Sequence, residues 1–188
     1  MIPLLSRKEA LALDQDAVSR LGLPSLLLME NAGRGAFEAV RSRYPDALER
    51  VLIVGGVGQN GGDGWVVARR LVSFGYAPSC FLIGARADVH GDAAVNLRAL
   101  EALGASVTEV VASEAGTFEA LKHATASATL VIDGLFGTGL SRPLSGVYDD
   151  VIEVIDGCRA PRVALDLPSG VDADTGSVLG HALRADLT

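Results

Sequence analysis

The chain has 188 residues, enough for one domain with a full hydrophobic core. Its 23 Asp and Glu outnumber its 16 Lys and Arg, and the resulting formal charge of -7 disfavours binding to nucleic-acid phosphates. Because no apolar run approaches the ~18 residues of a membrane span and the two cysteines form no C-x-x-C motif, we expect a cytoplasmic protein with reduced thiols and no membrane segment.

Two helices are predicted at the start of the chain. Ser6 and Glu9 match a capping box, and the helix that they begin should run to about Leu21. A second helix should start at Pro24 and end before Pro45. Helices are unusual before the first strand of a nucleotide-binding fold, so we expect this extension to cover a sheet face or an oligomer interface.

The most informative segment comes next. Residues 51–55 form an apolar run typical of a buried strand, and residues 63–74 have helical spacing. The glycines within residues 56–61 satisfy G-x-G-x-x-G, a pattern that brings backbone N–H groups close to a phosphate at a helix N-terminus. Asn60 and Asp63 lie inside this predicted turn, where an ordinary dinucleotide motif needs no polar side chain.

A second feature argues against ordinary dehydrogenase geometry. Such enzymes place an acidic residue at the end of the second strand, where it binds a ribose hydroxyl. The second predicted strand, residues 79–83, ends without a carboxylate, and Asp88 follows only in the loop. Nucleotide binding is therefore favoured, whereas an NAD-dependent oxidoreductase is not.

Strands and helices alternate through the rest of the chain. The apolar runs are continuous, as expected for parallel strands that are buried on both faces. The pattern predicts an α/β fold with a mostly parallel, doubly wound sheet after the N-terminal helical extension. The predicted strands are 51–55, 79–83, 106–111, 128–133 and 162–166, and the predicted helices between them are 63–74, 90–103, 116–126 and 146–157.

Two more strand ends carry polar side chains. One strand ends at Asp133 and is followed by the turn Gly137-Thr-Gly139, with Arg142 beside it. Another ends at Asp166, and Ser169 follows a proline. Since the carboxyl ends of parallel strands form the ligand crevice of such folds, we expect these groups to lie close together.

Each of these residues also has an ordinary structural interpretation. Glycines at such turns often serve backbone shape alone, and Asp133 and Asp166 could simply cap turns. Asp172 and Asp174 read as solvated turn residues, and Arg142 as a surface cation. The convergence of oxygen-bearing side chains on three loops favours a site. Such oxygens suit an alkali or alkaline-earth cation, and a buried carboxylate could act as a general acid or base.

The last residues, Ala182-Leu-Arg-Ala-Asp-Leu-Thr188, begin what looks like another strand and then stop. A domain seldom ends within a strand, so we expect residues 1–188 to be a single domain truncated at its C-terminus. A short edge strand is the alternative.

Four motifs together resemble those of the NAD(P)HX epimerases, the family of the YjeF N-terminal domain. The resemblance covers nearly the whole chain. The motifs are Leu28-Met-Glu-Asn-Ala-Gly33, Gly58-Gln-Asn-Gly-Gly-Asp-Gly64, Asp133-Gly-Leu-Phe-Gly-Thr-Gly-Leu140 and Asp166-Leu-Pro-Ser-Gly-Val-Asp172.

The resemblance implies a Rossmann-like three-layer α/β/α fold and a homodimer. It also implies an isomerase that interconverts the R and S forms of hydrated NADH and NADPH in nicotinamide nucleotide repair. A dehydratase would then restore the S form to usable cofactor, and in many bacteria the two enzymes are fused. The resemblance adds one potassium ion per subunit as a cofactor.

The family's site residues can be placed on this chain by matching its motifs. Asp166 would be the proton-transfer group as well as a substrate contact. The implied substrate-binding residues are Gln59, Asn60, Gly61, Gly62, Asp63, Gly137, Thr138, Gly139, Leu140, Ser141, Arg142, Pro143 and Asp166. The implied potassium ligands are Asn60, Asp133 and Ser169. Gln59 departs from the asparagine that is usual in the family, although it keeps the amide chemistry.

Two other functions remain as alternatives at this point. One is a non-catalytic nucleotide-binding or scaffold module on the same fold, which would keep the pocket but not the reaction. The retention of Asn60, Asp133, Asp166 and Ser169 favours the enzyme. The other is an NAD-dependent oxidoreductase, for which no ribose-binding acid is present.

Overall fold

A computed structural model describes residues 5–111 and 115–188. The chain begins with two helices and then alternates between strands and helices, as the sequence predicts. The helices are α1 (Arg7–Ser19), α2 (Ser25–Arg43), α3 (Gln59–Ser73), α4 (Gly91–Ala102), α5 (Ala115–Ser127) and α6 (Val147–Asp156). The strands are β1 (Val51–Gly55), β2 (Ser79–Ile83), β3 (Val107–Val110), β4 (Leu130–Gly134) and β5 (Arg162–Ala164).

The five strands form one parallel sheet in the order β3-β2-β1-β4-β5. The strand order reverses direction between β1 and β4, which pair with Val54 opposite Asp133. In doubly wound sheets, the crevice beyond the carboxyl ends of the strands at such a switch point is where ligands bind. The topology therefore brings the loop after β1 and the loop after β4 side by side.

Helices cover both faces of the sheet. On one face Phe37 of α2, Trp65 of α3 and Leu97 of α4 pack with Ile53 of the central strand. On the other, α5 and α6 pack against the side chains that point the opposite way, such as Val54. Every residue of β1 and β4 is buried, which explains their continuous apolar runs. The predicted three-layer α/β/α fold is confirmed.

The two N-terminal helices are attached very differently. The predicted capping box is present, because Ser6 Oγ accepts a hydrogen bond from the Glu9 N–H and the Glu9 carboxylate accepts one from the Ser6 N–H. No residue of α1 is buried, however. In α2, Phe37 and Val40 are fully buried, and the helix packs mainly against α3.

Some predicted boundaries are wrong in an informative way. The helix after β1 begins at Gln59, four residues earlier than predicted, so Asn60 and Asp63 belong to α3 and not to a turn. Glycines disfavour helices in general, but here tertiary contacts require them. Similarly, β5 ends at Ala164, two residues before Asp166, although the sequence predicts a strand up to that residue.

Two further expectations concern the end of the chain and the membrane. Leu187 forms a single parallel bridge to Val163 of β5, so the last residues do reach the edge of the sheet. Within the described ranges, no helix is both long and apolar enough to cross a bilayer. Cys80 and Cys158 are free thiols.

Candidate active site

A cleft of about 940 Å³ lies beyond the carboxyl ends of the central strands. The loops after β1, β4 and β5 form one side of it, and α1 and α2 form the other. Residues of all three predicted loops line it. From the predicted substrate-binding set, these are Gln59, Asn60, Asp63, Gly137, Thr138, Gly139, Leu140 and Asp166.

The glycines of α3 are required because the first turn of this helix is packed against other backbone. A Cβ on Gly61 would lie 1.9 Å from the carbonyl oxygen of Gly56, and one on Gly62 would lie 2.5 Å from Met29 Cε. Gly61 and Gly62 are buried and lie behind the cleft lining. Close packing explains why the motif has glycine at these two positions. It lets α3 present its polar residues to the cleft.

Asn60 is the residue of this turn whose buried side chain lacks hydrogen-bond partners among the described residues. Both its Oδ1 and its Nδ2 are buried, and neither has a hydrogen-bond partner among the described residues. Its backbone carbonyl oxygen lies 3.0 Å from the place where a Cβ on Gly134 would stand, so α3 starts directly against the end of β4. A buried amide without a partner costs free energy, which a bound ligand or ion would recover.

Asp133 and Ser169 form a fully buried pair between β4 and the loop after β5. Asp133 Oδ1 accepts hydrogen bonds from Ser169 Oγ (2.7 Å) and the Leu135 N–H (3.0 Å), and Oδ2 accepts one from the Ser169 N–H (2.9 Å). Burial raises the pKa of Asp133 to about 6, although these hydrogen bonds act in the opposite direction. The structure thus brings two of the three predicted potassium ligands into direct contact.

Asp166 has an unusual backbone. Its φ of 65° is positive, and it is the one non-glycine residue with this conformation in the described part of the chain. Its Oδ2 accepts a hydrogen bond from the Thr138 N–H at 2.6 Å. A Cβ on Gly137 would lie 2.2 Å from the same oxygen, so this glycine leaves room for the carboxylate. Strained backbone that presents a polar side chain to a cleft is typical of functional positions.

The other predicted contacts lie outside the cleft. Ser141, Arg142 and Pro143 are exposed and do not line it. Arg142 therefore does not meet the three loops as the sequence suggests. These three residues follow a turn that the Leu140 N–H closes by donating to the Gly137 carbonyl oxygen at 3.1 Å.

A different arginine lies at the site, and the sequence analysis missed it. Arg7, at the start of α1, lines the cleft, and its guanidinium donates to the carbonyl oxygen of Leu140. It also lies 3.6 Å from Asp172, and its backbone N–H donates to Asp174 Oδ1 at 2.8 Å. Asp172 and Asp174, expected to be solvated turn residues, thus attach α1 to the site.

Three further lining residues were also missed. Asp14 comes from α1, and Phe136 and Tyr148 pack edge to face with ring centroids 5.1 Å apart. No motif contains Asp14 or Tyr148, because both reach the cleft through tertiary packing. Phe136, directly before Gly137, could have been suspected from its place in the second loop.

Asp63 is the titratable group of the cleft that its surroundings alter most. Burial, and then the negative charges of Asp166 and Asp14, raise the pKa of Asp63 to about 7. A carboxyl group whose pKa lies near neutrality can donate a proton or accept one. Such groups are characteristic of active sites.

Comparisons with known proteins agree with this architecture. A curated NAD(P)H-hydrate epimerase from Rhodopirellula baltica is 37% identical over 188 residues, which is all of this chain and 73% of that protein. The NAD(P)H-hydrate epimerase of Limosilactobacillus fermentum is 36% identical, over 94% of this chain and 79% of that protein. A bifunctional NAD(P)H-hydrate repair enzyme from Salinibacter ruber is 40% identical, over 99% of this chain and 35% of that protein.

The fold has a solved counterpart as well. The crystal structure of yeast YNL200c superimposes with a TM-score of 0.84 at 26% identity, covering 99% of this chain and 79% of that one. The family model described as YjeF-related protein N-terminus matches residues 25–188, from the start of α2 onwards. The chain therefore belongs to the YjeF N-terminal family.

Proposed function

We propose that this protein is an NAD(P)HX epimerase, an isomerase that interconverts the R and S forms of hydrated NADH and NADPH in nicotinamide nucleotide repair. The observation that carries the proposal is the Asp166 carboxylate, which stands in the cleft beside the Gly137–Gly139 turn. The names of relatives that are 36–37% identical over nearly the whole chain support it.

The chemistry takes place at C6 of the hydrated nicotinamide, a carbon that bears both a hydroxyl group and the ring nitrogen. Inverting this carbon requires a bond to break and to reform on the other face. Asp166 is the proposed proton-transfer group, and positioned proton transfer typically contributes about 10²–10⁴ in rate. The N-terminus of α3 and the Gly137–Gly139 turn would contact the phosphates, since both line the cleft and a helix N-terminus attracts anions.

We further propose that Asn60, Asp133 and Ser169 hold one potassium ion. The described residues contain no cluster of three or more His, Cys, Asp or Glu side chains suited to a metal ion. The proposed set is of another kind, with one carboxylate, one hydroxyl and one amide, which suits a singly charged cation. The buried Asn60 amide without a partner supports it. A bound cation would neutralise the buried charge of Asp133.

The direct test uses a coupled assay. The R form is incubated with this protein and a dehydratase that accepts only the S form, in matched buffers with potassium, with sodium or with neither. We expect complete conversion of the R form to NADH or NADPH, and faster conversion with potassium. If the R form persists while circular dichroism shows an intact fold, the protein is a non-catalytic binding module. Equal rates in all three buffers would exclude the potassium proposal alone.

We also propose a homodimer formed through the N-terminal helices. Large exposed apolar side chains concentrate there: Leu5, Leu11, Leu13, Val18, Leu21, Leu26 and Leu27. Analytical ultracentrifugation should give a dimer for the wild type and a monomer for a Leu13→Asp/Leu21→Asp double variant. Leu103→Asp, at an equally exposed position after α4, should remain dimeric. A monomeric wild type at micromolar concentration would contradict this proposal.

The S form would also be the substrate of a second enzyme. The bifunctional relatives carry additional sequence beyond the region that this chain matches, since the match covers 35% of the Salinibacter ruber protein. We propose that a dehydratase, covalently attached or separate, consumes the S form that this protein supplies. The free thiols Cys80 and Cys158 are consistent with the cytoplasm, where we place the reaction.

A further inference from the structure

Asp63 differs from Asp133 and Asp166 in having no hydrogen-bond partner among the described residues. It lies in the first turns of α3, is half-buried and lines the cleft. In the described part of the chain, no backbone or side-chain donor contacts its carboxyl group. Asp133, in contrast, accepts three hydrogen bonds, and Asp166 accepts one from the Thr138 N–H. Within residues 5–111 and 115–188, the Asp63 carboxyl group is therefore free to engage a ligand.

The charges that face Asp63 come from two other elements. Asp166 lies on the loop after β5, and Asp14 on α1. Both are close enough to disfavour a second negative charge at Asp63. Arg7 is the one cationic side chain in the described lining of the cleft, and its guanidinium is already engaged with Leu140 and Asp172. The surroundings thus favour a neutral carboxylic acid at Asp63 facing a carboxylate at Asp166.

Epimerisation at C6 requires both a group that donates a proton and a group that accepts one. A hydroxyl group leaves easily only when it is protonated, and water adds easily only when a base takes its proton. One carboxyl group cannot be acid and base in the same step. Two carboxyl groups in different protonation states can serve both needs, which is how carboxyl pairs divide acid and base roles in other enzymes.

We propose that Asp63 donates the proton to the departing C6 oxygen and that Asp166 accepts the proton of the water that replaces it. The inference rests on the proposed epimerisation. The C6–O bond breaks, and its electron pair leaves with the oxygen, which takes the Asp63 proton and departs as water. The ring nitrogen's lone pair forms a double bond to C6. A water molecule then adds to the other face, Asp166 takes its proton, and exchange with solvent resets the pair.

The first test compares Asp63→Asn with the wild type in the coupled assay. We expect kcat to fall by about 10²–10⁴ while KM changes less than threefold, because the amide keeps the shape but has no acidic proton. The wild-type kcat should decline as the pH rises through about 7, since Asp63 loses its proton there. Asp14→Asn should move this decline to lower pH, because it removes a charge that favours the protonated form.

Controls separate this inference from the proposed function. Asp88→Asn, an exposed position outside the cleft, should match the wild type in rate and pH profile. A wild type without epimerase activity would refute the proposed function itself. An active wild type together with an Asp63→Asn variant within threefold of its kcat would overturn only the role of Asp63. Thermal unfolding of each variant confirms that a loss of rate is not a loss of fold.

A second measurement follows the oxygen directly. In water labelled with ¹⁸O, each inversion by the wild type should place one labelled oxygen at C6, as mass spectrometry of the product would show. Asp63→Asn should take up label as slowly as it inverts the carbon. Inversion without label in single-turnover experiments would overturn the proposed C–O cleavage and would point to opening of the ring at the nitrogen.

Discussion

Replacing Asp166 by asparagine should lower the kcat of epimerisation by about 10²–10⁴ without unfolding the protein. Asparagine has nearly the same shape as aspartate but accepts no proton at neutral pH. It also tolerates the left-handed backbone conformation that residue 166 adopts, with its φ of 65°. Its side-chain oxygen can still accept the Thr138 N–H, so the turn that carries Thr138 should keep its conformation. Steady-state kinetics and thermal unfolding measure the two effects separately.

A variant that moves the carboxylate without removing it provides an independent check. Gly137→Ala places a methyl group 2.2 Å from Asp166 Oδ2, so this side chain must move aside. A displacement of about 1 Å can cost about 10² in rate. Gly116→Ala is the matched control, since this position lies outside the cleft and a Cβ there meets nothing within 4 Å. Near-normal turnover by both Asp166→Asn and Gly137→Ala would remove Asp166 from the reaction.

The second large effect is expected for Asp133, whose replacement should change the free energy of unfolding in a way that depends on pH. Asp133→Ala leaves the buried N–H groups of Leu135 and Ser169 without acceptors, and each loss costs about 1–3 kcal/mol. The Asp133 carboxyl group itself binds its proton more tightly in the folded protein than in the unfolded chain, because burial raises its pKa from 3.8 to about 6. Its contribution to stability is therefore greatest below pH 4, declines between pH 4 and 6, and is constant above.

The difference between a pKa of 3.8 in the unfolded chain and one of about 6 in the folded protein corresponds to about 3 kcal/mol in the free energy of unfolding. In buffers free of potassium and sodium, the wild type should exceed Asp133→Ala in unfolding free energy by about 2–6 kcal/mol at pH 4. That excess should shrink by about 3 kcal/mol at pH 7. Urea unfolding at each pH measures it, and other titrating groups cancel in the difference. Asp46→Ala, at an exposed position, is the control and should change stability by less than about 0.5 kcal/mol. An excess that grows with pH would contradict a buried, weakly acidic Asp133.

Much of the fold could be predicted from the sequence because its signals are local. The predicted strands at residues 51–55 and 79–83 have the observed bounds, since strands that are buried on both faces are almost continuously apolar, and only Ser79 of these two strands is exposed. The start of α3 could not be predicted from propensity, because residues 58–64 hold four glycines. Two of them, Gly61 and Gly62, are required by close contacts with Gly56 and Met29, which no local pattern reveals.

Some residues of the candidate site could likewise be predicted from the sequence, and others could not. Asp133, Asp166 and Ser169 could be found because strand ends meet at one edge of a parallel sheet. Arg7 could not, because it contacts Leu140 across most of the chain and its helix carries no functional motif. Arg142, expected as a substrate contact from the resemblance, is exposed and outside the cleft lining here, and its contact with substrate stays a prediction. The raised pKa of Asp63 depends first on burial and then on the charges of Asp166 and Asp14, all of which only the tertiary structure provides.

The buried contact between Asp133 and Ser169 has a consequence for how the cleft moves. It ties the loop after β5 to β4, and Ser169 Oγ also accepts a hydrogen bond from the Phe136 N–H in the loop after β4, so neither loop can swing outward alone without stranding buried polar groups. These loops should fluctuate only together, in events nearly as rare as global unfolding. α1 buries none of its own side chains, so within a single protomer it should open more often than these loops. In a monomeric variant such as Leu13→Asp/Leu21→Asp, the α1 part of the cleft lining should therefore move on a shorter timescale than the loops that Ser169 joins.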